Sequence, residues 1–259
     1  MGYDPVKREW PGWLTKTGLP ASLFPKVYAP GEPIGPVLPG LCQRIGLHTA
    51  CHLYAGTTDS IAATLACGIK HSGEAVTSLG SSLVLKVLAN QPLFLPEHGV
   101  YSHRVADRWL VGGASNSGGA VLKHYFSSEK IQQLCLAINP NIASPLDYYP
   151  LLTPGERFPV NDPEWQPLME PRPRADAQFL HALLQGIAKI EARGYALLES
   201  LLGFKVQKIY TSGGGAQNPT WRRIRERMLH RPVLVAEQQK PAYGSALLAR
   251  SGYFHLPVF

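Results

Sequence analysis

Apolar residues recur along this chain with two different periods, and the switches between them mark out most of its elements. The longest regular stretch is RADAQFLHALLQGIAKIEARGYALLESLLG, where Phe179, Leu183, Ile187, Ile190, Tyr195, Leu198 and Leu202 return at helical spacing and Gly203 marks the stop. TTDSIAATLACG predicts a shorter helix: Thr57, Thr58 or Asp59 can cap it, its middle is small and apolar, and Gly68 ends it. In WRRIRERMLHRP the apolar positions Trp221, Ile224, Met228 and Leu229 fall on one helical face. Arg222, Arg223, Arg225, Arg227 and Arg231 are therefore expected on the wet side. AYGSALLARSGY predicts a terminal helix.

β-branched and alternating runs supply the strands. EAVTSLGSSLVLKVL predicts a hairpin turning at Leu79-Gly80-Ser81, and GVYSHRV with RWLVGGA a second one turning at Ala106-Asp107. ACHLYAG reads as a short buried strand, KVQKIYTSGGG as a strand ending in three glycines, and PVLVAE as another short strand. SNSGGAVLKHYF leads from a glycine-rich turn into a helix. The first 40 residues read as extended segments joined by turns, with Trp10, Trp13, Leu14 and Leu19 as packing anchors, and 139–174 as a proline-rich irregular loop. Hairpins followed by strand and helix alternation predict α/β or α+β layers.

Composition narrows the class. The chain has 259 residues, 45% of them hydrophobic and 17% charged, which is enough apolar content for a buried core and excludes a wholly disordered chain. No run approaches the roughly 18 apolar residues of a membrane span, and the first residues lack the apolar stretch of a secretory signal, so a cytoplasmic location is expected. The net charge is +7, but much of it lies in the arginine segment without interleaved stacking aromatics, so nucleic acid is not an expected partner. Cys42, Cys51, Cys67 and Cys135 show neither C-x-x-C nor zinc-finger spacing and are expected to be buried thiols.

Three segments could carry chemistry. SGGGAQNPTW lies at a strand-to-helix turn, where glycines permit close approach and a helix N-terminus offers free N–H groups to an anion. Asn218 followed by Pro219 fits the N-cap and first helical positions. A tight turn with no ligand is the competing reading. In SLGSS, Gly80 allows a strained backbone, and Ser78, Ser81 and Ser82 could join backbone N–H groups around a phosphate, although serine is also common turn filler. Asp59 lies in AGTTDS, between a strand and a helix start, where a carboxylate can accept a proton from a substrate hydroxyl or simply cap the helix. Ser60 carries the same ambiguity. His48 and His52 stand four apart without a carboxylate or cysteine to complete a metal set, and neither Ser81 nor Ser82 lies in G-x-S-x-G.

Taken in order, YAGTTDSIAATLACG, GEAVTSLGSSLVLKVL, the GGASNSGGAVL turn, LLQGIAKIEARGYALL, TSGGGAQNPTWRRIRERMLHRPV and AYGSALLA, together with GYDPVKREWPGWL near the start, resemble the second half of the FGGY carbohydrate kinases, in their ribulose or xylulose kinase-like branch. The resemblance implies an α/β, actin-like (ribonuclease H-like) ATPase fold with two lobes. It implies ATP and Mg²⁺ in the cleft and a small-molecule sugar of the D-ribulose or D-xylulose type, whose hydroxyl attacks the γ-phosphate. Asp59 matches the family's catalytic base and sugar-binding carboxylate, and Ser60 looks like a sugar contact. Gly80 and Ser81 match the turn that approaches the phosphates, while Gly213, Gly214, Gly215 and Asn218 match the loop that receives the nucleoside. No residue is assigned to metal, no membrane or nucleic-acid partner is implied, and the oligomeric state stays open.

Two departures from the family pattern stand out. Members carry an early D-x-G-T-T/S turn whose aspartate faces the metal and phosphates; AGTT has Tyr54 and Ala55 where that acid would be needed. The family often has Glu where Gln185 stands. The chain is thus expected to hold an incomplete first lobe and a complete second lobe. Residues 1–66, completed by the C-terminal helix 240–259, would be the remainder of the sugar-binding lobe, and 67–239 the nucleotide-binding lobe. The alternative is a truncated non-catalytic fragment that binds nucleotide or a partner.

Overall fold

The computed structural model describes residues 2–259. In chain order its elements are β1 (Pro33–Pro36), α1 (Pro39–Ile45), β2 (His52–Tyr54), α2 (Asp59–Ala66), β3 (Glu74–Leu79), β4 (Leu83–Ala89), β5 (Tyr101–Val105), β6 (Arg108–Ser115), α3 (Gly119–Tyr125), α4 (Ser128–Cys135), α5 (Asp176–Leu202), β7 (Lys208–Ser212), α6 (Pro219–Leu229), β8 (Val233–Val235) and α7 (Pro241–Phe254). Short 3₁₀ turns cover Gly12–Thr17, Ala21–Leu23, Pro96–His98 and Gly214–Gln217. Both expected hairpins form, with Leu79 opposite Leu83 and Val105 opposite Arg108.

Six strands make one mixed sheet in the order β5-β6-β4-β3-β7-β8. Its two faces bury different helices. Leu83, Leu85 and Val87 of β4, with Ala75 and Leu79 of β3, pack with residues of α5 and α6. The alternate positions Val76, Leu88 and Leu110 pack with Ile61 and Leu65 of α2 and Leu248 of α7. Strands covered on both faces lose the polar half of their alternation, which is why the sequence of β4 is almost wholly apolar. On α5, Phe179, Leu183, Ile187, Ile190, Tyr195 and Leu198 are all buried as their spacing requires. Each such side chain contributes about 1.5–3 kcal/mol by leaving water. On the opposite face α7 lies directly along α2: a Cβ at Gly244 would run into the Ala62 carbonyl, so the two backbones meet without intervening side chains.

The arginine helix corrects the expectation placed on it. Arg225 is 1% exposed, and of the five arginines expected on the wet side only Arg223 is exposed. Trp221, Arg225 and Met228 stand at i, i+4 and i+7, so helical geometry puts Arg225 on the inward face between apolar neighbours. Arg227 donates to Gln185 Oε1 (2.7 Å), and Arg231 donates to Glu199 Oε1 (2.7 Å) and to the Val206 carbonyl. Gln185, the departure from the usual Glu, is buried; its Oε1 also accepts from Ser144 N (2.9 Å) and its Nε2 donates to Ser144 O (3.1 Å). An amide can both accept and donate in this way, whereas an ionised carboxylate could only accept.

The N-terminal third departs further from its reading. The strand expected to be buried, ACHLYAG, is β2, which pairs only with β1; His52 and Leu53 are exposed, and Tyr54 is half-buried where α7 passes it at Gly252. Trp10 does pack, between Tyr3 and Phe24, but Trp13 and Leu19 are exposed. Of the four thiols, Cys42, Cys67 and Cys135 are buried and Cys51 is only half-buried; all are free. Two helices lie where none was expected. α1 carries the signature of Pro at its start and Gly46 in the left-handed conformation at its end. α4 is capped by Ser127, whose side chain accepts from Lys130 N. No helix is long and apolar enough to cross a membrane among the described residues.

Candidate active site

The parallel pairing of β3 with β7 sets Ser78 beside Ser212, so the chain leaves both strands at the same edge of the sheet. Each strand ends in a glycine turn. After β3 come Gly80, Ser81 and Ser82; after β7 comes Gly213, whose φ of 86° is a left-handed value that favours glycine. A Cβ on Gly213 would press against the Leu79 carbonyl at 2.7 Å and one on Gly215 against Leu79 Cβ at 2.9 Å, so the two loops touch. Gly214 meets nothing within 4 Å and is exposed.

The Gly80 turn is braced from behind. Gly119 N donates to Gly80 O (2.9 Å), Ala120 N to Ser81 O (3.0 Å) and Leu83 N to Ser117 O (2.7 Å), so the carbonyls of the turn point into the start of α3. The N–H groups of Ser81 and Ser82 find no acceptor among the described residues. Unpartnered N–H groups beside an open glycine loop suit the phosphates of a nucleotide. Asn218 caps α6 as its place before Pro219 predicts: Oδ1 accepts from Trp221 N (3.0 Å), while Nδ2 donates to the Cys135 thiol (3.2 Å). Its side chain is engaged at both ends, so what it offers a ligand is the shape of the loop.

Asp59 is the first residue of α2 and is exposed. Thr58 holds the N-cap position without a side-chain bond. Asp59 Oδ1 accepts from Ser60 N (2.6 Å), which satisfies one free N–H of the helix start and leaves Oδ2 available. Beneath this turn lies a residue that the apolar pattern of β4 does not single out. Lys86 of β4 is 4% exposed, and its Nζ donates to Ser60 Oγ (2.6 Å) and Ser60 O (3.1 Å). Burial pulls the Lys86 ammonium down to about 8, against the opposing pull of Asp59 and Cys67. The same burial pushes the Cys67 thiol up to about 11, and burial with the Lys86 charge lowers His103 on β5. A single lysine inside the apolar run LVLKVLA was the available signal.

No group of three or more His, Cys, Asp or Glu side chains able to hold a metal occurs among the described residues. A magnesium ion would owe its place mainly to the phosphates it accompanies, as Mg²⁺ commonly does. His48 and His52 are each tied to Ala50.

A doubly covered mixed sheet, two touching glycine turns at one edge and a carboxylate on the first turn of a neighbouring helix define an α/β protein of the actin-like ATPase fold. The chain belongs to the FGGY family of carbohydrate kinases, whose C-terminal domain matches residues 75–253. It is similar to the xylulose kinase of Bacillus subtilis, 27% identical over 268 residues, covering 96% of this chain and 52% of that protein. It is also similar to the L-fuculokinase of Escherichia coli, 25% identical over 251 residues, covering 92% of this chain and 51% of that protein. Among solved structures, a xylulose kinase from Brucella ovis superposes with a TM-score of 0.84 at 25% identity, covering 97% of this chain and 54% of that one. The chain thus spans about half the length of the relatives it matches.

Proposed function

We propose that this protein serves ATP-dependent phosphorylation of a sugar hydroxyl, with a ketose of the D-ribulose or D-xylulose type as substrate and Asp59 as general base. The features that support this reading are an exposed carboxylate, with one oxygen free, on the first turn of α2, and two glycine turns that touch each other at one edge of the sheet that α2 packs on. Phosphoryl transfer asks a protein mainly for positioning and oriented dipoles, and one carboxylate to accept the hydroxyl proton. In this reading Gly80 and Ser81 hold the phosphates by their backbone, and Gly213, Gly214 and Gly215, shaped by Asn218, receive the nucleoside. Ser60, whose Oγ accepts from Lys86, keeps its own proton to donate to the sugar. Mg²⁺ arrives with ATP and supplies charge neutralisation at the phosphates. The contact of α7 with α2 supports the division into 1–66 with 240–259 as one lobe and 67–239 as the other.

Calorimetric titration with ATP and Mg²⁺, then with D-ribulose or D-xylulose, followed by a coupled assay of the wild type and Asp59→Asn, tests this. The expected result is ATP binding in both proteins and turnover that falls by about 10²-fold or more in the variant. Turnover unchanged in Asp59→Asn overturns the base, and absence of ATP binding overturns the whole reading. ATP binding with no sugar turnover is the outcome of a nucleotide-binding fragment.

A further inference from the structure

Lys86 is placed where a cation should not be. It is buried in a central strand and forms no ion pair within 4.0 Å among the described residues. Its Nζ points at the first turns of α2, the positive end of the helix dipole, where a cation is disfavoured. All three of its donor directions end on that helix: Ser60 Oγ at 2.6 Å, Ser60 O at 3.1 Å and Thr64 Oγ1 at 3.4 Å. A leucine or methionine would fill the same space without any of these costs, as Val76, Leu88 and Leu110 do on the same face. Asp59 is bonded through Oδ1 to the N–H of the very residue Lys86 grips. The groups acting on the ammonium are Asp59 at the start of α2 and Cys67 just past its end, and His103 feels it from β5.

The geometry points to Lys86 as the positioning residue of Asp59: by clamping Ser60 through side chain and main chain it fixes the turn on which the carboxylate rides, and it sets a positive charge beneath that turn. The inference rests on the reading of Asp59 as base and adds to it a partner in the opposite layer. In the phosphoryl-transfer cycle Lys86 does not touch substrate. It acts through Ser60 and through its field.

The test is the titration of the lysine Cε signals by ¹³C NMR, with Lys86 assigned through Lys86→Arg, in the wild type and in Asp59→Asn. Asp59 is exposed, so its amide variant keeps the fold. The Lys86 midpoint is expected to drop in Asp59→Asn by about half a pH unit or more, roughly a threefold loss of proton affinity, because an opposite charge is gone. A lysine that merely filled space or bonded Ser60 would keep its midpoint, and an unchanged midpoint overturns the proposal. This measurement needs no turnover, so it stands apart from the test of the base. Where turnover is present, Lys86→Met should lower kcat at least about tenfold with KM for ATP unchanged, and Lys86→Arg should restore most of it. An Lys86→Met protein with full kcat also overturns the proposal. If Asp59→Asn leaves turnover intact while the Lys86 midpoint still drops, the base reading fails and the Lys86–Asp59 coupling survives.

Discussion

Two cations are buried against opposite faces of the same sheet, and they are treated very differently. Arg225 lies under β3 and β7 on the α5 and α6 side, 1% exposed, as is its partner Glu191. The pair is bidentate, Nε to Oε2 and Nη2 to Oε1, both at 2.7 Å. The network continues beyond the pair: Arg225 Nη1 donates to Thr211 Oγ1 (2.8 Å), Thr77 Oγ1 donates to Glu191 Oε1 (2.6 Å), and Tyr195 OH meets Thr77 Oγ1 at 2.8 Å. Lys86, on the α2 and α7 side, has neutral oxygens for partners and no carboxylate in ion-pair reach among the described residues. A closed network of matched charges belongs to a core that must hold one shape. A buried ammonium left without a paired counter-charge, beneath an exposed carboxylate-bearing turn, belongs to a site.

The contrast is sharpest when one member of the closed network is removed. Glu191→Gln or Arg225→Met leaves the opposite charge buried and unpaired, and the expected loss is about 3–5 kcal/mol of unfolding free energy, read from urea denaturation. A loss below about 1 kcal/mol in both variants would show that the pair is not sealed from water and would dissolve the distinction drawn here.

On the other face the sign reverses. The folded state holds Lys86 near 8 where its ordinary value is 10.5. Between those two values the unfolded chain binds more protons than the folded one, so stability rises with pH across that window. Below pH 8 the full penalty is present, on the order of 3 kcal/mol, at about 1.4 kcal/mol for each pH unit. Lys86→Met should therefore be more stable than the wild type at pH 7, by up to that amount, and the gap should shrink as pH rises from 8 towards 10.5. Stability gained while kcat is lost is the pattern of a residue kept for function. A Met variant less stable than wild type at pH 7 would put Lys86 in the same class as Arg225.

How each cation reads in the sequence follows from this physics. The stripe of α5, both hairpins and the Asn218-Pro219 start of α6 were legible because period and turn chemistry are local. The two glycine turns were legible as separate signals, but their contact depends on the parallel pairing of β3 with β7, whose strands lie some 130 residues apart, 74–79 against 208–212. Arg225 was misread because residue type outweighed position: it stands four residues after Trp221 and three before Met228, on the buried face. Lys86 was passed over because β4 reads as simply apolar. Its single charge makes sense only once α2 is known to lie across it. β2 reads as buried from its composition, and that α7 reaches it only at Tyr54 is a tertiary fact.

Smaller perturbations compare the hydroxyl partners on the two faces. Thr77→Val keeps the shape of the side chain but deprives Glu191 Oε1 of a donor in a site with no access to water. About 1–2 kcal/mol should be lost, since a buried acceptor left short of a partner forfeits its desolvation cost. A thermal scan should register this as a clear drop in Tm.

Ser60→Ala is the matched change on the other face, and its effect on stability should be the smallest. The hydroxyl it removes is an acceptor for Lys86 at 2.6 Å, the shortest of the three bonds that hold the ammonium. Ser60 is exposed, however, so water can take the place of Oγ, and the main-chain carbonyl of the same residue still accepts from Nζ. Stability should stay within about 0.5 kcal/mol of wild type, as for other exposed substitutions. The consequence should appear elsewhere: a mobile water is a poorer acceptor than a fixed hydroxyl at 2.6 Å, so the charged form of Lys86 is less well held and its NMR midpoint should fall below that of the wild type. A large stability loss with an unmoved midpoint would mean that Ser60 anchors the core, and that the open face is built on the same principle as the closed one.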